Sequence, residues 1–269
     1  MNKKQVRLVI FDWAGTVVDY GCVAPAVVFQ KTFEHWEIPL TKEEILKPMG
    51  MEKKDHIRQL LRLEQVTKTW RELKGRDWTE QDVEEMYQSF EKMLADIVAD
   101  YSEVMPGVKE TVENLRKQKI VIGSTTGYTA EIMQKVTARA AKEGYLPDYL
   151  VTPEEVGTGR PGPFMVYENM RRSNVYPPCC VVKVGDTTMD ILEGVSAGVW
   201  TVGILEGSSQ VGLSYEEAQE MSGLEKEIRW KKAEELYRNA GADFVIEDIT
   251  KLPKVVEEIN RRLSQKEGK

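Results

Sequence analysis

Cysteine is scarce and odd in number in this 269-residue chain, where Cys22, Cys179 and Cys180 are the whole complement. Adjacent cysteines such as Cys179 and Cys180 rarely form a structural staple, so a disulfide framework is excluded and a reducing cytoplasm is the expected setting. Positive charge is also short. The formal net charge of -7 repels nucleic acid and anionic membrane surfaces, so an anionic substrate must be met by a local pocket of positive charge or by a metal. No apolar run approaches the roughly 18 residues of a membrane span. The opening MNKKQVRLVIFDW turns acidic after a run too short for a signal segment. The expectation is a chain neither exported nor anchored, with no nucleic-acid or membrane partner. Repeats are absent, and only the charged tail Ser264 to Lys269 is expected to be disordered.

What is present suits a globular protein: 41% hydrophobic and 30% charged residues provide a full core and a second, smaller unit. Short β-rich runs stand at Val6 to Phe11, Ile120 to Gly123, Val181 to Val184, Val199 to Ile204 and Phe244 to Ile246, and read as buried strands. Helical patterns alternate with them at Val108 to Gln118, Ala130 to Lys142, Phe164 to Arg172, Met189 to Ala197 and Pro253 to Leu263. That alternation predicts an α/β fold with a doubly wound parallel sheet. From about Gly21 to Ala99 there are helical patterns without a convincing strand, which reads as an inserted helical cap closed by Met105-Pro106-Gly107. The expected division is a core of 1–20 and 100–269 and a cap of 21–99. Glu206 to Gly241 is long and polar and reads as helices over the core's edge.

Three strand ends carry the chemistry. Asp12 follows the first strand, in Phe11-Asp12-Trp13-Ala14-Gly15-Thr16; Asp186 and Asp190 follow another, in Gly185-Asp186-Thr187-Thr188-Met189-Asp190. Two strands delivering carboxylate to one crevice make a hard, oxygen-rich site suited to Mg²⁺. A third end, Gly123-Ser124-Thr125-Thr126-Gly127, supplies hydroxyls and backbone donors expected at a helix N-terminus, a seat for phosphate. Arg160, in Gly157-Thr158-Gly159-Arg160-Pro161-Gly162, adds a fork of donors. That loop also matches GxGxxG, but it does not follow a strand directly and contains Pro161, which argues against a dinucleotide site.

DxxGT after the first strand, a Ser/Thr strand end, a later basic residue and GDTxxD, in that order, resemble the haloacid dehalogenase superfamily over nearly the whole chain. The resemblance implies a Rossmann-like core, with the helical insert where that superfamily carries its first type of cap. It makes Asp12 the nucleophile, and assigns Mg²⁺ to Asp12, the Ala14 carbonyl and Asp186. Thr126 and Arg160 would hold the phosphoryl group, and Asp190 would support the metal from behind its ligands. A homodimer through the cap is also implied.

One departure is informative. Superfamily phosphatases carry a second Asp two residues after the nucleophile to protonate an alkoxide, and here that position is Ala14. Losing a general acid costs about 10²- to 10⁴-fold in rate, whereas a carbon leaving group needs an electron sink, which a lysine imine supplies. The segment Pro48-Met49-Gly50-Met51-Glu52-Lys53-Lys54-Asp55-His56-Ile57 starts a helix, and steps of three, four and seven from Lys53 reach His56, Ile57 and Leu60. Lys54 shares its face with Arg58, so Lys53 is the inward lysine.

MGxxKxxH with Ala14 resembles the carbon–phosphorus-cleaving branch of the superfamily. It implies hydrolysis of phosphonoacetaldehyde, a small-molecule phosphonate, through a Lys53 Schiff base and an Asp12 aspartyl phosphate. The alternative for Lys53 is a snorkelling surface lysine; for His56, a helix-surface or core histidine rather than a proton-shuttling or orienting one. Cys22, Met49 and Tyr128 are candidate pocket walls or packing residues. Cys179, Cys180, His35 and the cap tryptophans read as packing. Two other functions stay open: a phosphomonoesterase or phosphomutase using His56 or a cap residue as acid, and a retired phosphatase serving as a phosphate-binding or interaction module.

Overall fold

The computed structural model describes residues 4–267. Leu8–Phe11 (β1) opens it, with every residue buried. The chain then leaves the sheet for Val23–His35 (α1), Lys42–Leu46 (α2), Lys53–Leu61 (α3), Glu64–Lys74 (α4) and Glu80–Ile97 (α5). Val108–Lys117 (α6), Val121–Thr125 (β2), Ala130–Lys142 (α7), Tyr149–Val151 (β3), Pro153–Val156 (α8) and Phe164–Ser173 (α9) follow. Val181–Gly185 (β4), Thr188–Ala197 (α10), Trp200–Ile204 (β5), Tyr215–Glu220 (α11), Gly223–Asn239 (α12), Phe244–Ile246 (β6) and Leu252–Glu267 (α13) complete the order.

The six strands are parallel in the order β3-β2-β1-β4-β5-β6, so the expected α/β, doubly wound sheet is present. Side-chain alternation along β1 sends Leu8 and Ile10 to one face, against Val166 and Met170 of α9. Val9 and Phe11 go to the other, among Val108, Leu115, Val256 and Ile259 of α6 and α13. Both faces are thus covered, which is why the strands read as apolar runs. Strand order reverses about β1 and β4, opening a crevice at their carboxyl ends. Phe11 stands level with Ser124 on one side and Val184 on the other, so Asp12, Thr125 and Gly185 emerge side by side.

The inserted helices pack face to face, with the Phe29 ring of α1 4.3 Å from Phe90 of α5. Their entry and exit segments are tied together: Met105 N–H donates to Val17 O at 2.9 Å, beside a bridge between Val18 and Val104. One apolar cluster runs without a break from the sheet through Trp13 into Phe29, Met49 and Leu60.

Several expectations are corrected. β3, a three-residue edge strand closely flanked by Pro147-Asp148 and Thr152-Pro153, was not anticipated. β2 reaches Thr125, and α7 begins only at Ala130 with Thr129 as its N-cap. Ser124 to Gly127 are therefore strand end and loop, not a helix N-terminus. The tail is helical through Glu267, with Ser264 Oγ donating to Asn260 O at 2.8 Å; only its last two residues, 268 and 269, lie outside the described residues. His35 is exposed at the end of α1, whereas Trp36 and Trp70 stack at 5.2 Å as packing residues. Cys180 is buried and Cys179 half-buried, in a turn just before β4. The 206–241 stretch holds α11 and α12, and the loop before them enters the site.

Candidate active site

Asp12 is the first residue past β1, and its N–H donates to Val184 O at 2.9 Å. The next turn is tight. Gly15 has φ 80°, and a Cβ there would stand 2.4 Å from Asp186 Oδ2, so only glycine lets the loop come this close to that carboxylate.

Asp186 is fully buried just past β4. Its Oδ2 accepts from Ser209 N–H at 2.9 Å and Ser209 Oγ at 2.7 Å, and its Oδ1 from Thr16 Oγ1 at 3.3 Å. Ser208 Oγ and Tyr237 OH donate to its backbone carbonyl at 2.9 and 2.5 Å. Burial, then the carboxylates of Asp12 and Asp190, push the Asp186 carboxyl well above the ordinary carboxylate range.

Asp190 is equally buried but compensated. Its Oδ1 takes Lys183 Nζ at 2.7 Å and Arg160 Nη1 at 3.1 Å. Its Oδ2 takes Thr187 Oγ1 at 2.6 Å and Thr187 N–H at 3.2 Å, closing the capping box that starts α10. Burial opposes its ionisation, yet Arg160 and Lys183 hold it below the usual range.

Oxygens of Asp12, Asp186 and Asp190 lie within 4.8 Å of one another. With Asp190 spent on cations and Thr187, Asp12 and Asp186 are the carboxylates left to a metal. An all-oxygen donor set with an uncompensated buried acid fits a hard divalent cation.

Arg160 reaches the crevice from the loop between α8 and α9. Its Nη2 lies 2.5 Å from Asp12 Oδ1 and 2.9 Å from Thr125 Oγ1, and its Nε 3.1 Å from Glu193 Oε2. Burial works against its charge, but Asp12, Asp190 and Glu193 more than offset that and hold the guanidinium protonated.

The insert's contribution is of another kind. Lys53, at the start of α3, is 8% exposed. Its Nζ lies 5.6 Å from the Phe29 ring centre and 5.4 Å from that of Tyr128, and among the described residues it has no hydrogen bond or ion pair. Burial pulls its pKa down, Cys22 and Asp12 partly restore it, and Arg160 lowers it further. Lys54, one residue on, is more exposed and pairs with Glu84 at 2.6 Å, beside Arg58 with its partners Asp55 and Glu80. Burial holds the Cys22 thiol and the Tyr128 phenol well above their ordinary values, so both are neutral.

Asp12, Ala14, Asp186, Thr126, Tyr128 and Arg160 from the core and Cys22, Met49 and Lys53 from the other side line one cavity of about 30 Å³. Gly50, Gly127 and Thr187 complete it. Thr126 Oγ1 accepts from Tyr128 N–H at 3.0 Å, which shapes the loop.

His56 is not among the lining residues. It is fully buried, its Nε2 donates to Ile45 O at 2.9 Å, and its ring lies 3.8 Å from that of Phe29. Nδ1 has no partner among the described residues. Burial and Lys53 hold its pKa well below the ordinary value, so the ring is neutral.

Lys183, Glu193, Ser208, Ser209 and Tyr237 were missed in sequence, whereas Thr16 and Thr125 stand inside two of the strand-end motifs read there. Lys183 was detectable as a charge interrupting the run Val181-Val182-Lys183-Val184, and Glu193 as an acid one turn beyond Asp190. The two serines carry no such signal.

A family model described as haloacid dehalogenase-like hydrolase matches residues 9–204. A Bacillus cytotoxicus protein named phosphonoacetaldehyde hydrolase is 46% identical over 258 residues, 96% of this chain and 98% of that one. A Clostridioides difficile bifunctional phosphonoacetaldehyde hydrolase/aminoethylphosphonate transaminase is 46% identical over 94% of this chain and 40% of its own length. The crystal structure of a phosphonoacetaldehyde hydrolase-like protein from Oleispira antarctica superposes with a TM-score of 0.94 at 36% identity, covering 97% of this chain and 94% of that one. The chain belongs to the haloacid dehalogenase-like hydrolase family, whose carboxylate-bearing strand ends it carries.

Proposed function

We propose that the chain hydrolyses the carbon–phosphorus bond of phosphonoacetaldehyde to acetaldehyde and phosphate, with Lys53 forming a Schiff base and Asp12 a transient aspartyl phosphate. The observation that carries this reading is the pairing of Ala14 with Lys53 across one cavity. No acid stands two residues after Asp12 to protonate an oxygen leaving group, and the same cavity holds a buried amine that has no ion pair among the described residues. The names of relatives at 46% and 44% identity support the same substrate.

Neutral Lys53 Nζ attacks the aldehyde carbon, and loss of water gives an iminium. Asp12 then attacks phosphorus; the carbon–phosphorus bond breaks and its electron pair enters the iminium as an enamine. Protonation at carbon and one water free acetaldehyde and Lys53, and a second water cleaves the aspartyl phosphate. Arg160 and Thr126 hold the phosphoryl oxygens, while Cys22, Met49 and Tyr128 wall the carbon side. Neutral His56 orients Lys53 from beneath, through the Phe29 ring, rather than shuttling a proton.

Mg²⁺ would be held by Asp12, the Ala14 carbonyl and Asp186, with Asp190 steadying their surroundings. When bound it offsets the repulsion between carboxylates and an anionic phosphonate. The reading includes a cap of 21–99 on a core of 1–20 and 100–269, and a homodimer through that cap. It also includes a cytoplasmic location, supported by three free cysteines.

Phosphate release from phosphonoacetaldehyde, set against a panel of sugar phosphates, tests the proposal. Release from the phosphonate alone, abolished by a chelator and restored by Mg²⁺, is expected. Sugar phosphates turned over at rival rates overturn it in favour of a phosphomonoesterase or phosphomutase.

A further inference from the structure

Two fully buried ionisable groups behind the site take no direct part in the chemistry above: Lys183 in the middle of β4, which pairs with Asp190, and Glu193 on α10. Neither lines the cavity, so neither touches what binds there. Burying a further carboxylate costs several kcal/mol of desolvation, and apolar residues of similar volume commonly pack as well or better. The pair is therefore poorly explained as a stabilising core element.

Lys183 is shared between Glu193 and Asp190, the latter at 2.7 Å, whereas the other contacts of Glu193 converge on one side chain. Glu193 Oε2 accepts Arg160 Nε at 3.1 Å and Thr125 Oγ1 at 3.1 Å, and Lys183 Nζ lies 3.4 Å away. Thr125 Oγ1, having donated its one proton to Glu193, accepts from Arg160 Nη2 at 2.9 Å. Arg160 comes from a loop on a long side chain with many rotamers, whereas Glu193 sits on a helix anchored by the Thr187 cap. A carboxylate at the Nε edge and a hydroxyl at Nη2 select the rotamer that carries Nη2 to Asp12.

We infer that Glu193, with Lys183 as its counter-charge, is a positioning residue that locks the Arg160 fork and the Thr125 hydroxyl behind the phosphoryl group. The inference rests on the proposed role of Arg160 in holding that group.

Glu193→Gln keeps the volume and an acceptor but removes the charge, and Thr125→Val, which removes the hydroxyl between Glu193 and Arg160 and leaves the buried charges in place, serves should the first variant not fold. Two readouts separate this inference from the reaction it serves. Inorganic phosphate binding, by calorimetry on the Mg²⁺-loaded protein, does not depend on imine formation and is expected to weaken by about tenfold. Turnover of phosphonoacetaldehyde is expected to lose kcat by about tenfold and gain in KM, while borohydride trapping of the aldehyde stays stoichiometric. Lost folding alone lowers trapping and kcat in step and leaves KM unchanged. In an Arg160→Lys background, Glu193→Gln should add less than about twofold, because the group it positions is already gone. Phosphate affinity and KM within twofold of wild type, or an undiminished effect beside Arg160→Lys, overturns the inference. Unaltered phosphate effects in a protein that never cleaves phosphonoacetaldehyde would count against the proposed reaction alone.

Discussion

The two sides of the cavity handle charge in opposite ways. On the core side, Asp12, Asp190 and Glu193 are bound to Arg160 and Lys183 by a lattice of ion pairs. Asp186 there has no ion pair among the described residues and is held well above the ordinary carboxylate range, and burial also raises Glu193 despite its cations. On the insert side a single cation, Lys53, sits beside Phe29 and a neutral His56 and faces Tyr128 of the core loop after β2, with no anion paired to it among the described residues. Compensation fixes charges in place, which suits holding a phosphoryl group. Desolvation destabilises a charge, which suits an amine that must lose its proton to attack carbon. In the proposed reaction one cavity would thus divide a phosphorus side from a carbon side by its electrostatics.

The sharpest way to break this contrast is at the nucleophile. Asp12→Asn keeps shape and an oxygen but no anionic attacker, and turnover should fall by at least about 10³-fold in a folded protein. Retention of more than a few per cent of wild-type rate means direct attack by water and removes the aspartyl phosphate.

On the other side, Lys53→Arg retains positive charge and cannot form an imine, so steady-state phosphate release should drop by at least about 10²-fold. An active Arg variant reduces Lys53 to an electrostatic clamp, and the two sides then differ only in degree.

Asp19 sharpens the contrast through stability. It is buried where the chain enters the insert, accepts from Val23 N–H at 2.8 Å and Ala24 N–H at 3.1 Å, and burial raises its pKa to about 7. A raised folded-state value means stability fully present below about pH 4 and lost as pH rises to about 7. At about 1.4 kcal/mol per unit the loss is up to about 4 kcal/mol. Stability measured by denaturant unfolding across pH 4 to 8 should fall more steeply in wild type than in Asp19→Asn, the difference being the Asp19 share, since buried Asp186 contributes a slope of the same sign to both. Parallel profiles contradict the assignment.

Smallest is the effect of Lys54→Met. That lysine pairs with Glu84 on a partly exposed face, and such pairs contribute about 0 to 1 kcal/mol. The rate should change less than about twofold, and a larger loss would shift the carbon-side role to the wrong lysine.

Legibility in the sequence followed the same divide. The strand ends bearing Asp12 and Asp186 were readable because buried parallel strands are continuous apolar runs broken by the acid that follows them. Lys53 over Lys54 was readable because helical spacing ties it to Ile57 and Leu60, both buried. β3 was not, since its three residues lie between the turn-forming pairs Pro147-Asp148 and Thr152-Pro153 and read as loop. Ser208 and Ser209, which cradle Asp186, were invisible because they arrive from a loop whose path depends on tertiary packing. The position of His56 off the cavity wall was hidden for a related reason: spacing puts it on the inward face but cannot say that Phe29 and Ile45 occupy it first.

The central claim, that the desolvated amine on the carbon side becomes covalently joined to substrate, is tested most directly by borohydride reduction with phosphonoacetaldehyde, followed by peptide mapping. The account predicts inactivation with one reduced, substrate-derived adduct per chain, carried by Lys53. An adduct on Lys54, or no adduct at all from a protein that still turns over, contradicts it.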